Sequence, residues 1–170
     1  MAEGEFTEMK VHRLVLDPNT NSPIVVLQDE DSGALLPIWI GIFEAHSIAM
    51  KLEGVEPSRP MTHDLLRNFF DVTKGMVDRI EVHDLVDNTY FARIHFYLNK
   101  QVFAIDSRPS DAIALALRTV SPIFVANHVL EKSKIELPAG SEGDGGVGKD
   151  EQWDEILKNF NVDLDKSKIN

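Results

Sequence analysis

The chain has 170 residues, 43% of them hydrophobic, a formal net charge of −11 and no cysteine. That length suits one domain, or one domain with an appendage, and the apolar fraction is enough for a core, while disulfides, thiol catalysis and thiolate metal sites are excluded. The acidic opening MAEGEFTEMK lacks the apolar stretch of a secretory signal, and no run approaches the ~18 apolar residues of a membrane helix. A soluble, cytoplasmic protein with no membrane partner is therefore the expectation. The excess of acid also argues against a simple nucleic-acid coat: any phosphate-binding face must be local, or a divalent cation must offset the carboxylates.

In chain order, residues 1–9 read as a flexible start. Residues 10–16 read as a first strand, 17–21 as a turn, and 24–28 as an apolar strand. Asp31-Ser32-Gly33 then turns the chain into a return strand over 35–40. A helix over 42–53 carries Ala45, Ile48, Ala49 and Leu52 as its core stripe, with Glu44, Ser47 and Lys51 on another face. Gly54 suits the left-handed position that ends it. Pro57 and Pro60 stiffen the link to a second helix, for which Thr62 is the expected N-cap. Leu65, Leu66, Phe69, Phe70 and Thr73 are expected to face inward, and Gly75 ends that helix.

A β-meander follows. Apolar residues fall at even positions over 77–86 and again over 90–98, so an odd, three-residue loop at 87–89 is predicted, pairing Ile80 with Phe96 and Val82 with Ile94. A two-residue turn at Asn99-Lys100 would set Phe103 opposite Phe96 and Ile105 opposite Ile94. The other face would gather Glu81, His83, Arg93, His95 and Asp106, either as a solvated charged face or as the floor of a polar site. Pro109 fits the first position of a third helix. Residues 112–117 are apolar nearly all round, hence buried. A short strand at 123–126 and a helical turn at 129–132 close the domain at 137. Residues 138–149 are a Gly-rich linker. In 150–170, Trp153, Ile156, Leu157 and Phe160 recur at the spacing of a tethered amphipathic helix, for which the chain's own body or a protein partner are both open.

The expected fold is α+β: a mostly antiparallel sheet of hairpin and meander packed with about three helices. Segments 35–52 and 101–117 echo each other as strand, turn, acid-Ala and Ile-Ala-rich helix, and a strand-turn-helix duplication is one reading of that echo.

No phosphate-binding loop, dinucleotide fingerprint, zinc-protease or serine-hydrolase elbow motif is present. What remains is carboxylate, histidine and arginine. In Arg59-Pro60-Met61-Thr62-His63-Asp64, an arginine and free helix-start N–H groups could take an anion, His63 could act as a general base or metal ligand, and Asp64 as a ligand or orienting group. In Asp106-Ser107-Arg108-Pro109-Ser110-Asp111, an arginine again precedes a proline and an acid. Both stretches also read as ordinary helix caps with first-turn acids. The functional reading makes His63, Asp64, Asp106 and Asp111 catalytic candidates. Arg59, Arg93 and Arg108 become phosphate ligands, and Glu44, Asp106 and Asp111 ligands for Mg²⁺ or Mn²⁺.

The pattern LPIWIG…EA…RPMTHDLL followed by DSRPSDAIALALR…PIFV resembles the bifunctional nuclease (BFN-domain, DNase/RNase) family over residues 10–137. Met61 stands where Leu is expected and Ser107 where Ala is frequent; neither change removes a polar group. The resemblance implies a single α+β domain hydrolysing DNA and RNA, with nucleic acid as partner. It supplies no catalytic set, so the residues above are placed by chemistry alone. The competing expectation is a non-enzymatic module that senses an anion or nucleotide, or binds a protein through the tethered helix. Self-association is open, since an open sheet leaves strand edges unpaired.

Overall fold

The computed structural model describes residues 5–133 and the backbone of residues 146–147. The order of elements is β1 (Phe6–Leu16), β2 (Pro23–Gln28), β3 (Leu35–Trp39), α1 (Ile42–Leu52), α2 (Thr62–Thr73), β4 (Met76–Val86), β5 (Thr89–Leu98), β6 (Gln101–Ser107), α3 (Pro109–Thr119), β7 (Ile123–Ala126), α4 (Asn127–Lys132) and β8 (Gly146–Val147). One sheet runs β3-β2-β1-β7-β4-β5-β6, with β8 beside β1. Its pairs are antiparallel except β4–β7 and β1–β8. The fold is thus α+β, as expected, with four helices among the described residues, the fourth being the helical turn expected at 129–132. The tail helix expected over 150–170 lies outside the described residues, as does all of the 138–149 linker except 146–147, which pairs with Arg13 and Leu14.

The first strand starts earlier than the sequence suggested. Residues 6–9, read as part of a flexible start, pair with β7, and Met9 is buried. A buried β7 needs a partner on both edges, and the early half of β1 supplies one.

The element order repeats. A three-strand antiparallel meander and then an 11-residue helix occurs as β1-β2-β3-α1 and again as β4-β5-β6-α3. The strand-helix echo therefore extends to a larger unit, with β3 and β6 as the two edges of the sheet. Helices α1 and α3 nonetheless pack together. Strand curl makes that possible. Laid flat, β3 and β5 would stand about 24 Å apart at ~4.8 Å per strand, yet the Tyr90 hydroxyl of β5 donates to the Pro37 carbonyl of β3 at 3.3 Å. The coiled sheet wraps a core that includes Leu27, Leu36, Ile48, Ile80, Ile113 and Leu115.

Two expectations are corrected. The β4–β5 connection is a two-residue turn, Asp87-Asn88, with both φ positive, as a type I′ hairpin requires. The odd residue needed to keep apolar side chains on one face sits in the strand instead, at irregularities between Val82 and Asp84 and between Val77 and Arg79. Ile80 therefore faces Ile94 and Val82 faces Ala92. The β5–β6 register follows expectation: Phe96 faces Phe103, Ile94 faces Ile105 and Arg93 faces Asp106 across the Asn99-Lys100 turn.

Helix α2 is also rotated relative to expectation. Its inward residues are His63, Leu66 and Phe70, whereas Leu65 and Phe69 are exposed. Met61, not Thr62, is the N-cap, and the Asp64 carboxylate accepts the Met61 N–H at 3.0 Å. Hydrogen bonds of His63 and Asp64 to α3 turn the polar edge inward, and the apolar stripe turns out with it.

Candidate functional site

Three helices meet through their polar residues. In the first turn of α2, His63 is 9% exposed. Its Nε2 lies 3.0 Å from Asp111 Oδ1 in the first turn of α3, and its Nδ1 lies 2.9 Å from Ser47 Oγ on α1. A carboxylate only accepts, so Nε2 carries the hydrogen; in the neutral ring Nδ1 then accepts from the Ser47 hydroxyl. Both ring nitrogens are committed inside the protein. His63 thus bridges α1 and α3, with Ser47 on one ring nitrogen and Asp111 on the other.

Asp111 in turn holds Arg108, the N-cap of α3. Arg108 Nε donates to Oδ2 at 2.6 Å and Nη2 to Oδ1 at 3.1 Å, while Nη2 also donates to Glu44 Oε1 at 2.8 Å. Burial alone would raise the Asp111 carboxyl, but hydrogen bonds from Arg108 and His63 outweigh it and hold the group below the usual range. Glu44 folds back over Gly41, the N-cap of α1: a Cβ on Gly41 would meet Glu44 Oε2 at 2.2 Å. Gly41 has an ordinary φ of −73°, so what glycine provides there is room for the Glu44 carboxylate in this position, not backbone freedom.

The third link is Arg118, in the last turn of α3. Its Nε donates to Asp64 Oδ1 at 2.6 Å, Nη1 to the Ala114 carbonyl at 2.9 Å and Nη2 to the Ser47 carbonyl at 3.2 Å. Burial pushes the Asp64 carboxyl up, but Arg118 and the Met61 N–H together bring it below its ordinary value. Arg118 was not among the expected site residues, yet the sequence carries its signal: a charged residue closing a helix that is apolar all round needs a buried partner. Ser47, placed with Glu44 and Lys51 on a face apart from the core stripe, is buried as well.

The structure therefore brings together Glu44, His63, Asp64, Arg108 and Asp111 from the predicted set. It does not bring in the rest. Arg59 is exposed and makes no hydrogen bond or ion pair among the described residues. Arg93 and Asp106 face each other on β5 and β6, one residue out of phase with the core-facing Ala92 and Ile94, so they lie on the sheet face away from the helices. There they neighbour His83, whose ring burial, aided by Arg93, holds below its usual pKa against the pull of Asp84, Asp106 and Glu81. Glu81 and His95, expected in the same cluster, do bond, at 2.9 Å.

A cleft of about 410 Å³ opens beside Arg108. Its wall comprises residues 38–41 at the start of α1, 88–90 at the β4–β5 turn, and Arg108, Pro109 and Ser110 at the start of α3, with Ser22 at the rim. Two helix amino ends thus face one hollow, and their free N–H groups and dipoles favour an anion. Trp39, partly exposed, is fixed by its Nε1 donating to Asp17 at 3.1 Å. A second cleft, about 520 Å³ between the start of β1 and the end of α3, is mainly apolar and remote from these carboxylates.

The residue pattern and this geometry can be set beside known proteins. The model of the bifunctional nuclease domain matches residues 25–138. The chain belongs to the bifunctional nuclease domain family. An uncharacterized protein of Mycobacterium tuberculosis is 35% identical over 153 residues, covering 90% of this chain and 92% of that protein. Bifunctional nuclease 1 of Arabidopsis thaliana is 30% identical over 131 residues, covering 69% of this chain but 40% of the plant protein. Bifunctional nuclease 2 of the same plant is 29% identical over 114 residues, 64% of this chain and 34% of that protein. Within this bifunctional nuclease domain, no helix of the described residues is long and apolar enough to cross a membrane.

The metal expected from the sequence meets a limited donor set. Among the described residues no three His, Asp or Glu side chains converge on one point. Glu44 and Asp111 do converge, but on the Arg108 guanidinium. Asp106, on the opposite sheet face, is not with them. These residues do not fit a resident divalent ion held by the protein alone.

Proposed function

We propose that this chain hydrolyses phosphodiester bonds in DNA and RNA, with the scissile phosphate seated on Arg108 in the cleft between α1 and α3. Membership of the bifunctional nuclease family supports the reaction class. The single observation that carries the placement is Arg108: its side chain is 66% exposed, yet two carboxylates from two helices fix its orientation. A planar guanidinium so held keeps its Nη1 group, which neither carboxylate takes, to donate to a phosphate oxygen and meet charge as it builds on phosphorus. The free N–H groups of the α1 and α3 first turns add to the same pole, and the Trp39 ring offers a face on which a base can stack.

Glu44 is the general base in this reading. Its Oε1 is taken by Arg108, and Oε2 lies over Gly41, which lines the cleft. Water loses a proton to Oε2 as its oxygen attacks phosphorus. The bond from phosphorus to the leaving sugar oxygen breaks, and solvent protonates that oxygen. His63 and Asp111 hold Arg108 in register, and Asp64 with Arg118 holds α2 against α3. Dependence on Mg²⁺ or Mn²⁺ is part of the proposal only as a question for assay, since the donor set does not hold such an ion without substrate.

Nicking of supercoiled plasmid and decay of a single-stranded RNA by the purified full chain test this, with Mg²⁺, Mn²⁺ or EDTA. Arg108→Ala and Glu44→Gln should each lower cleavage at least 100-fold. Lys10→Ala, which removes a remote surface pair with Glu30, should leave it unchanged. Cleavage that persists in both site variants defeats the assignment. The same held Arg108 supports one second reading, an anion-sensing module: oligonucleotide binding that needs Arg108, without cleavage under any metal condition, would establish it.

A further inference from the structure

Strand β6 ends the sheet, and all its residues but the last are exposed. It is not protected in the usual way: Val102, Phe103, Ala104 and Ile105 run together, with no lysine or proline to discourage pairing. The tight turn before it shows which backbone groups are free. Leu98 and Gln101 close a two-residue turn, so they exchange hydrogen bonds, and by alternation Phe103, Ile105 and Ser107 also bond to β5. The N–H and C=O groups of Val102, Ala104 and Asp106 therefore point away from the sheet.

The edge continues into a second apolar surface. Rings of Phe103 and Phe96 stack at 5.3 Å, Phe96 meets Phe70 edge-on at 5.2 Å, and Phe70 meets Phe69 at 6.0 Å. That ladder leads from β6 to the outer stripe of α2, where Leu65, Phe69 and Val72 lie exposed. These three residues with Phe103 and Ile105, on the helix side of the sheet, are each between 40% and 83% exposed. They present about 500 Å² of apolar surface, in the upper part of the ~300–600 Å² of the largest patch on a typical monomer, which is often functional. Val102 is exposed at the same edge on the opposite sheet face, so two copies joined along β6 would bury about 1,200 Å², at the lower end of the ~1,200–2,000 Å² of a specific interface.

We propose that β6 pairs antiparallel with β6 of a second copy of this chain, on a two-fold axis through Ala104, so that the sheet runs on across the dimer and the α2 stripes close over the join. The register follows from chemistry. Centring on Ala104 overlaps all seven residues of β6 and sets Phe103 against Ile105 of the partner subunit, twice, as the closely spaced non-hydrogen-bonded pairs. It also sets Asp106 against the partner's Val102, so no like charges meet. A shift of one residue either way leaves Phe103 or Ile105 opposite a polar side chain. The apolar face accounts for why α2 carries two exposed large residues, Leu65 and Phe69, on a helix whose polar edge is buried.

Sedimentation equilibrium on the full chain tests this. The expected result is a species of twice the 19.1 kDa chain mass at micromolar concentration, tightening as salt screens the two net charges of −11. Val102→Lys and Val72→Glu, both at exposed positions, should each convert it to monomer with an unchanged circular dichroism spectrum. The chain has no cysteine, so Ala104→Cys places one thiol per copy, on the two-fold axis. Mild oxidation should then give a disulfide dimer, while Thr20→Cys on the distant β1–β2 turn should not. A monomer at 100 µM would overturn the proposal and leave the stripe to residues 150–170 or another protein. A dimer indifferent to both charge substitutions, or one in which Ala104→Cys does not cross-link, would overturn it as well.

Discussion

Replacing Arg118 by methionine tests the claim that one buried guanidinium ties the three helices together. Arg118 is 4% exposed and its Asp64 partner 21%. Methionine fills much the same volume without charge. The two carbonyls that Arg118 also contacts lie within helices and keep intrahelical partners, so the main loss is the charge facing Asp64. Breaking a fully buried pair costs about 3–5 kcal/mol; partial access of water to Asp64 reduces that to about 2–3 kcal/mol at pH 7. For a chain of this size the thermal midpoint should fall by roughly 6–10 °C. The pH dependence gives a sharper check. In the wild type the Asp64 carboxyl sits below its unfolded value, so its contribution is present above about pH 4 and is lost as pH falls through the folded value. In the variant, the unpaired carboxyl is relieved by protonation at higher pH. The deficit measured by urea melts should therefore shrink between about pH 5 and pH 3, and Asp64→Asn in the Arg118→Met background should recover at least half of it at pH 7. A deficit below about 1 kcal/mol at pH 7, or one of equal size at pH 7 and pH 3, would refute the reasoning.

Gly41→Ala adds a Cβ where Glu44 Oε2 now lies; the carboxylate swings away, so turnover should fall by about 10²-fold or more while the melting midpoint moves by less than about 3 °C. Asn88 has φ of 59° in the β4–β5 turn, so Asn88→Val should cost about 1–2 kcal/mol in a denaturant melt, whereas Asn88→Gly should cost nothing measurable. His46 is buried, and burial depresses its pKa. The unfolded chain then binds the extra proton as pH falls through about 6.5, so stability drops from pH 7 to pH 5, and His46→Gln should flatten that slope in melts across the range.

What was legible in the sequence was local. The 3.6-residue period and end signals placed α1 and α3 closely, because Gly54 and Pro109 have few other uses. The two-residue turn at Asn99-Lys100 set the β5–β6 register correctly. The β4–β5 register went wrong for a physical reason: parity shows only that an extra residue exists, and a bulge at His83 satisfies it as well as a longer loop. Phe69 was placed inside because apolar content outweighed polar, yet buried hydrogen bonds of His63 and Asp64 set the rotation of α2. Glu44, Arg108 and Asp111 were legible as first-turn groups at helix starts. Arg93 and Asp106 were not separable from them, since the strand-to-helix passage from Asp106 to Arg108 crosses the sheet, and only coordinates show which side each residue takes.

The repeated β-β-β-α unit explains why the site is asymmetric. At a constant offset, Glu44 and Asp111 occupy the same third position of helices α1 and α3, and the two helices pack together. A strictly symmetric pair would set two carboxylates at one mouth with nothing between them, a like-charge contact that costs more as water is excluded. The two units differ at the residue that matters: the N-cap is Gly41 in one and Arg108 in the other. Arginine from the second unit reaches both acids, and glycine in the first leaves room for Glu44 to fold back toward it. Exchanging the two N-caps, by Gly41→Arg with Arg108→Gly, keeps composition and net charge but puts a side chain where Glu44 Oε2 lies. If the asymmetry is what builds the anion site, that double variant should fold and lose oligonucleotide binding. Binding retained at wild-type affinity would mean that the two helix amino ends suffice without the arginine between them.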